Sequence, residues 1–339
     1  MALLWIEGFE GFGITVDSAP TPTGVYARKY TVTTESGFRV VTGRHAGYAL
    51  KFVTSTCILA SGSLTTDATM VVGLAYKTVN GTSHGLLAFY DGVTMGMNLR
   101  WVSGGNLAVY RGGTQLAVTA GLGLQVNTWY YLEFKVVCNS TTGSFEVRVD
   151  SVNQLSATGQ NTKAGSHDYH TAFWIQNVAG ENPTYDNLYC LDGSGSVNDF
   201  LGVQHVATSY PDGAGDSAQW TPSAGANYAT IDEESADDDT TYVETDTSGY
   251  LDLYTYGDLT GTGDINGVQI NTQVRRTNSL VSRDFYQSAK RGTTESDGSA
   301  VTAAEDTFTT KVRIMETDPT GIAWTPTNFN GTQFGEKLV

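Results

Sequence analysis

Thr128-Trp129-Tyr130-Tyr131-Leu132-Glu133-Phe134-Lys135-Val136-Val137, followed after a short polar link by Gly143-Ser144-Phe145-Glu146-Val147-Arg148-Val149-Asp150, decides the fold. In the first run Tyr130, Leu132, Phe134 and Val136 alternate with Trp129, Tyr131, Glu133 and Lys135. In the second, Phe145, Val147 and Val149 alternate with Glu146, Arg148 and Asp150. A period of two with one apolar and one polar side is the pattern of an antiparallel sheet that buries one face. Outward from this pair the same texture continues. Residues 38–53 hold two β-rich runs around Thr42-Gly43-Arg44-His45-Ala46-Gly47, and residues 69–79 run into Asn80-Gly81, the strongest short hairpin signal. Residues 84–111 carry three further runs separated by glycine-rich turns.

The composition agrees. With 39 glycines, 18 tyrosines and only 16% charged residues, the chain lacks the Ala/Leu/Glu/Lys texture of long helices, and no long stretch keeps a 3.6-residue period. The expected class is all-β. A length of 339 residues favours two domains, each long enough to bury a core. The join falls in residues 185–222. There Asp186 to Leu191 alternates as a strand, Asp192 to Asp199 supplies turn residues, and Phe200-Leu201-Gly202-Val203 forms a short apolar piece. Ser209 to Gly225, rich in Gly, Pro, Ser and Asp, reads as a linker or long ordered loop. The expected organisation is therefore two β-sandwich (jelly-roll) domains, residues 1–205 and 206–339.

Charge is divided unevenly between them. Residues 1–200 contain 11 basic and 14 acidic side chains, whereas residues 201–339 contain 8 and 21, so the acid of a chain with net charge −16 sits in the second domain. Such a surface repels phosphate, which excludes nucleic acid as an expected partner, and no apolar run reaches the length of a membrane helix. The beginning MALLWIEGFEGFG lacks a basic region before its apolar residues, so no signal peptide is expected. Cys57, Cys138 and Cys190 are an odd number in apolar contexts and are expected as buried thiols.

Gly47-Tyr48-Ala49-Leu50-Lys51-Phe52, residues 128–134 and residues 143–150 resemble the concanavalin A-like lectin/glucanase superfamily in its laminin G-like form. The resemblance covers roughly residues 1–200 and implies a concanavalin A-like first sandwich. Its glucanase branch carries a Glu-x-Asp-x-Glu strand, which is absent; the nearest alternating strand, residues 145–150, has Arg148 at its centre, so a glycoside hydrolase is the least expected activity. Over nearly the whole chain, the order of IEGFEGF, the join at residues 185–206, Trp220 to Ala229, the acidic run ending at Val243, and DPTGIAWT resembles uncharacterised structural proteins of tailed bacteriophages. That resemblance implies a non-enzymatic virion protein made in the host cytoplasm, exposed on head or tail, oligomeric, with other virion proteins as partners. The alternative expectation is a carbohydrate-binding host-adhesion module with a surface glycan as partner.

An adhesion module needs exposed aromatics, because a sugar presents an apolar C–H face between its hydroxyls. The candidates are Trp101, Trp174 and Trp324, with Tyr110 and Tyr185 as further aromatics. No cofactor is expected. Calcium has one candidate set in Asp237, Asp238 and Asp239, where a run of acids also reads as a solvated loop, and Asp258 to Ile265 imitates half of an EF-hand but continues as a strand. Glu7 and Glu10 are expected as solvated charges, and His167 and His170 as a polar pair without a third metal ligand.

Overall fold

The structure is a computed structural model that describes residues 3–13, 16–19, 24–33, 35–55, 57–177, 181–277 and 283–339. It consists of antiparallel β-sheets and divides into two units, Met1–Val206 and Ala207–Val339.

The first unit is a sandwich of two sheets. An eight-stranded sheet runs in the order Val152–Gln160, Gly143–Val149, Tyr130–Val137, Thr69–Lys77, Thr184–Asp192, Tyr48–Phe52 and Phe38–Thr42. The eighth strand, Leu3–Glu7, takes the far end of Thr184–Asp192, where a bulge between Asp186 and Tyr189 ends the pairing that Thr184 and Tyr185 make with Tyr48–Phe52. A seven-stranded sheet runs Thr114–Val118, Asn106–Arg111, Thr94–Val102, His84–Asp91, Ala172–Asn177, Cys57–Ala60 and Thr31–Thr33. The alternation that decides the fold does so by the side it buries: Leu132, Phe134, Val136, Phe145 and Val147 point between the sheets, and Phe134 stacks on Phe89 of the opposite sheet at 5.0 Å. Tyr76, Trp101, Tyr185 and Phe52 extend the same core.

Two expectations about connections need correction. Asn80-Gly81 closes no hairpin; the chain there leaves Thr69–Lys77 in one sheet and enters His84–Asp91 in the other, because both strands fill the centre of their own sheet. The expected linker at Ser209–Gly225 contains a strand, Pro211–Ala218, at the edge of a sheet in the second unit. Its glycines are what permit it: a Cβ on Gly215 would lie 2.4 Å from the Leu253 carbonyl oxygen.

The second unit is also sheet upon sheet, in a smaller form. A six-stranded sheet, Pro211–Ala218, Leu251–Tyr256, Thr332–Leu338, Asp284–Arg291 and Thr294–Asp297 with Val301–Thr302 alongside, is joined by the ribbon Val268–Val274/Thr309–Met315. Ile270 and Met315 of the ribbon meet Ala289 and Phe334 of the sheet and Trp324 from the loop between them. Buried Asp252 ties down the segment that follows the edge strand, accepting from the Gln219 and Trp220 backbone N–H groups, the Asn227 amide and the Tyr254 hydroxyl.

The three cysteines are buried and form no disulfide among the described residues, and burial pushes the Cys138 thiol up to about 11. Glu7 departs from expectation. It is buried rather than solvated, 2.8 Å from the Lys29 ammonium and accepting from the Tyr30 hydroxyl and the Phe9 N–H, so its charge is matched inside the protein. Among the described residues, no helix is long and apolar enough to cross a membrane.

Candidate aromatic binding face

The seven-stranded sheet turns Phe173, Ile175, Leu99, Leu107 and Val109 inward, so their alternating neighbours stand on its outer face. Strand register places six of these in one row: Ala60 opposite Trp174, Trp174 opposite Ala88, Ala88 opposite Asn98, Asn98 opposite Tyr110, and Tyr110 opposite Gln115. Trp174 is partly exposed and stacks on Tyr90 with ring centroids 3.7 Å apart. Tyr110 is also partly exposed; the Arg100 guanidinium lies 4.2 Å above its ring and its hydroxyl donates to Gln115 at 2.8 Å.

The small residues between these aromatics keep the row low. Between Trp174 and Tyr110 stand only Ala88 and Asn98, both fully buried, so the two rings stand about 14 Å apart, three strand spacings. Asn98 fixes the polar side. Its amide donates to the Tyr110 and Gly112 carbonyls and its oxygen accepts from Arg100 Nε at 2.6 Å, which holds the guanidinium over Tyr110. The remaining guanidinium nitrogens of Arg100 make no hydrogen bond among the described residues and stay available to a ligand. Two rigid aromatic surfaces with donors between them suit a ligand that alternates C–H faces with hydroxyls.

The three tryptophan candidates separate sharply. Trp174 stands on this face. Trp101 is 1% exposed, packed between the sheets beside Tyr76 and stacked against His84, and Trp324 is 2% exposed in the core of the second unit with its indole N–H donating to the Met315 carbonyl. Neither offers a ring to a ligand, which corrects the expectation for both. Tyr185 is likewise internal, its hydroxyl donating to the Leu86 and Gln176 carbonyls. Sequence alternation alone did not mark Tyr90, Asn98 and Arg100, which become neighbours of these aromatics only through strand order.

The acidic and histidine candidates are used internally. Asp237 accepts from the Thr241 hydroxyl, and Asp239 pairs with Arg275. Among the described residues no three His, Cys, Asp or Glu side chains are placed to hold a metal ion, and the calcium candidates Asp237, Asp238 and Asp239 form no such group. His167 caps Asp91, whose carboxyl burial would raise but whose bonds from the His167 N–H and ring keep it below the usual range. His170 points elsewhere, into the core against Phe89, where burial lowers it to about 4.

No protein-family model matches this chain, and no curated protein matches it. Solved structures similar to it include alginate lyase Aly36B (10% identity, 59% of this chain and 98% of that one, TM-score 0.41). An endo-β-1,4-glucuronan lyase from the fungus Trichoderma reesei shares 12% identity over 48% of this chain and 90% of its own, with a TM-score of 0.37. Domain 4 of AbnA, an extracellular arabinanase from Geobacillus stearothermophilus in complex with arabinotriose, shares 16% over 56% and 93%, with a TM-score of 0.39. All three bear the names of carbohydrate-processing proteins. The expectation of a structural protein of a tailed-phage virion is corrected accordingly.

Proposed function

We propose that the first unit is a carbohydrate-binding sandwich that holds a saccharide chain across the outer face of its seven-stranded sheet. The observation that carries this reading is the row Trp174–Ala88–Asn98–Tyr110, in which two braced aromatic rings flank a low floor. Trp174 and Tyr110 take the C–H faces of separate sugar rings, and Arg100 donates to hydroxyls between them. Tyr90 and Asn98 do not meet the ligand first; they keep Trp174 and Arg100 in place before it arrives, which reduces the ordering cost of binding.

Calorimetric titration of the full chain against a panel of neutral hexaoses in gluco, manno and xylo configuration tests this. Binding by at least one member, weakened roughly tenfold or more in Trp174→Ala and Tyr110→Ala, is expected, since a stacked ring contributes on the order of 1 kcal/mol or more. Binding that is indifferent to both substitutions, or absent throughout the panel, contradicts the proposal.

A further inference from the structure

The opposite outer face, that of the eight-stranded sheet, carries a second cluster, and residues 199–206 lie over it. Tyr131 and Glu133 from one strand and Asp186, Asn187 and Tyr189 from another share this face across the strand Thr69–Lys77. Gly73 makes the arrangement possible: the Tyr189 ring passes over it, and a Cβ there would lie 2.2 Å from the ring. Tyr189 donates to Glu133 Oε1 at 2.6 Å, Tyr131 donates to the Asn187 carbonyl at 3.0 Å, and the Arg44 guanidinium sits 5.5 Å from the Tyr131 ring centre. Asp186 accepts from the Arg44 and Asn187 backbone N–H groups.

The covering segment forms no strand. It is held through its own N–H groups: Leu201 to the Tyr189 hydroxyl at 3.1 Å, Gly202 to Glu133 Oε1 at 2.8 Å, and Val206 to Asn187 Oδ1 at 2.7 Å. Phe200 anchors it, with the Arg148 guanidinium 4.0 Å from its ring. Beneath this cover three polar atoms are out of contact with solvent and have no hydrogen-bond partner: Glu133 Oε2, Asn187 Nδ2 and Arg44 Nη1. Glu133 is 0% and Asn187 2% exposed. Leaving such groups unpaired is costly, and buried polar groups without partners are exceptional in folded proteins.

We infer that this floor is a second binding site, for a hydroxyl-rich ligand, and that residues 199–206 occupy it in the ligand's absence. The match is chemical. A hydroxyl both accepts, as Asn187 Nδ2 and Arg44 Nη1 require, and donates, as Glu133 Oε2 requires. The N–H groups of Leu201, Gly202 and Val206 meet the Tyr189, Glu133 and Asn187 oxygens as further hydroxyls would. Tyr131 and Tyr189 supply ring surface beside them. Occupation by the chain itself lowers apparent affinity by the fraction of molecules in which the floor is open. Loosening the segment therefore strengthens binding without adding a contact.

This inference stands apart from the platform of the other sheet, and its test is run in the Trp174→Ala background so that the two are read separately. Amide hydrogen exchange of Leu201, Gly202 and Val206 is followed with and without the neutral hexaose panel, and affinity is measured for that background alone, with Phe200→Ala, and with Phe200→Ala plus Glu133→Gln. The expected result is faster exchange at those three amides on addition of a panel member, affinity raised about fivefold or more by Phe200→Ala, and loss of that gain on adding Glu133→Gln. Two results overturn the inference: no panel member alters exchange at these amides even when Phe200 is removed, or Phe200→Ala frees the segment and only water fills the floor. Either result leaves the platform proposal standing, since that proposal depends on Trp174 in the otherwise native chain.

Discussion

Asp186 shows what the fold does to a single residue. Burial raises its carboxyl to about 6, against the opposing effect of the Arg44 and Asn187 N–H groups and the Arg44 charge. A carboxyl whose folded value lies above its unfolded one binds its proton more tightly in the native state. Its contribution is therefore full below about pH 4 and is lost as the pH rises through 6. The difference between wild-type and Asp186→Asn unfolding curves isolates this group: wild type is expected to lose on the order of 3 kcal/mol relative to the variant between pH 4 and 7. A difference that stays flat with pH, measured by urea titration, contradicts the assignment. The tryptophans give a second contrast. Trp101→Ala empties a core site and is expected to cost about 3–5 kcal/mol, whereas Trp174→Ala, at a partly exposed site, is expected to cost far less in stability while weakening saccharide binding at its face. Local phase bears on this pair: Trp101 shares its side with Met97 and Leu99, opposite Asn98 and Arg100, whereas Trp174 alternates with Phe173 and Ile175 and shares its side with Gln176; strand order alone supplies the neighbours that brace Trp174.

At the scale of elements, the strands with clean alternation were legible and the polar ones were not. Tyr130–Val137 and Gly143–Val149 appear where residues 128–150 place them, because one apolar face must be buried whatever the partner. Pro211–Ala218 has almost no apolar side chain and reads as a linker; it becomes a strand because the Leu251–Tyr256 edge needs backbone partners and the glycines allow close approach. Gly215→Val tests that account directly. The added side chain meets the Leu253 carbonyl, so the substitution is expected to cost about 1–3 kcal/mol and to raise exchange at the amides of residues 212–218 and their Leu251–Tyr256 partners before those of Thr332–Leu338. Unchanged stability and exchange would show that the edge strand does not depend on that glycine. The cluster beneath residues 199–206 was illegible for a different reason. Arg44, Glu133 and Asp186 come from three separated parts of the chain and meet only through the strand order of the sheet. The short apolar piece at Phe200 to Val203 was visible, but not the surface it covers.

For the whole molecule, composition and period set the all-β class and the division into two units, and neither set a function. Surface pairs such as Asp216 with Lys290 and Asp239 with Arg275 engage only part of the second unit's acid, contribute little to stability and specify no ligand. Function was legible only as the requirement for an exposed aromatic platform, and the fold selected one tryptophan of three. The central claim is that saccharide binds on the face that carries Trp174. It is tested most directly by following the indole N–H signals of the six tryptophans by NMR during titration with a hexaose from the panel. The account expects the Trp174 signal to shift and saturate while Trp101 and Trp324, inside the cores, and Trp129 and Trp220, on other surfaces, hold their positions. Saturating binding that moves Trp129 or Trp220 and leaves Trp174 unmoved would contradict it.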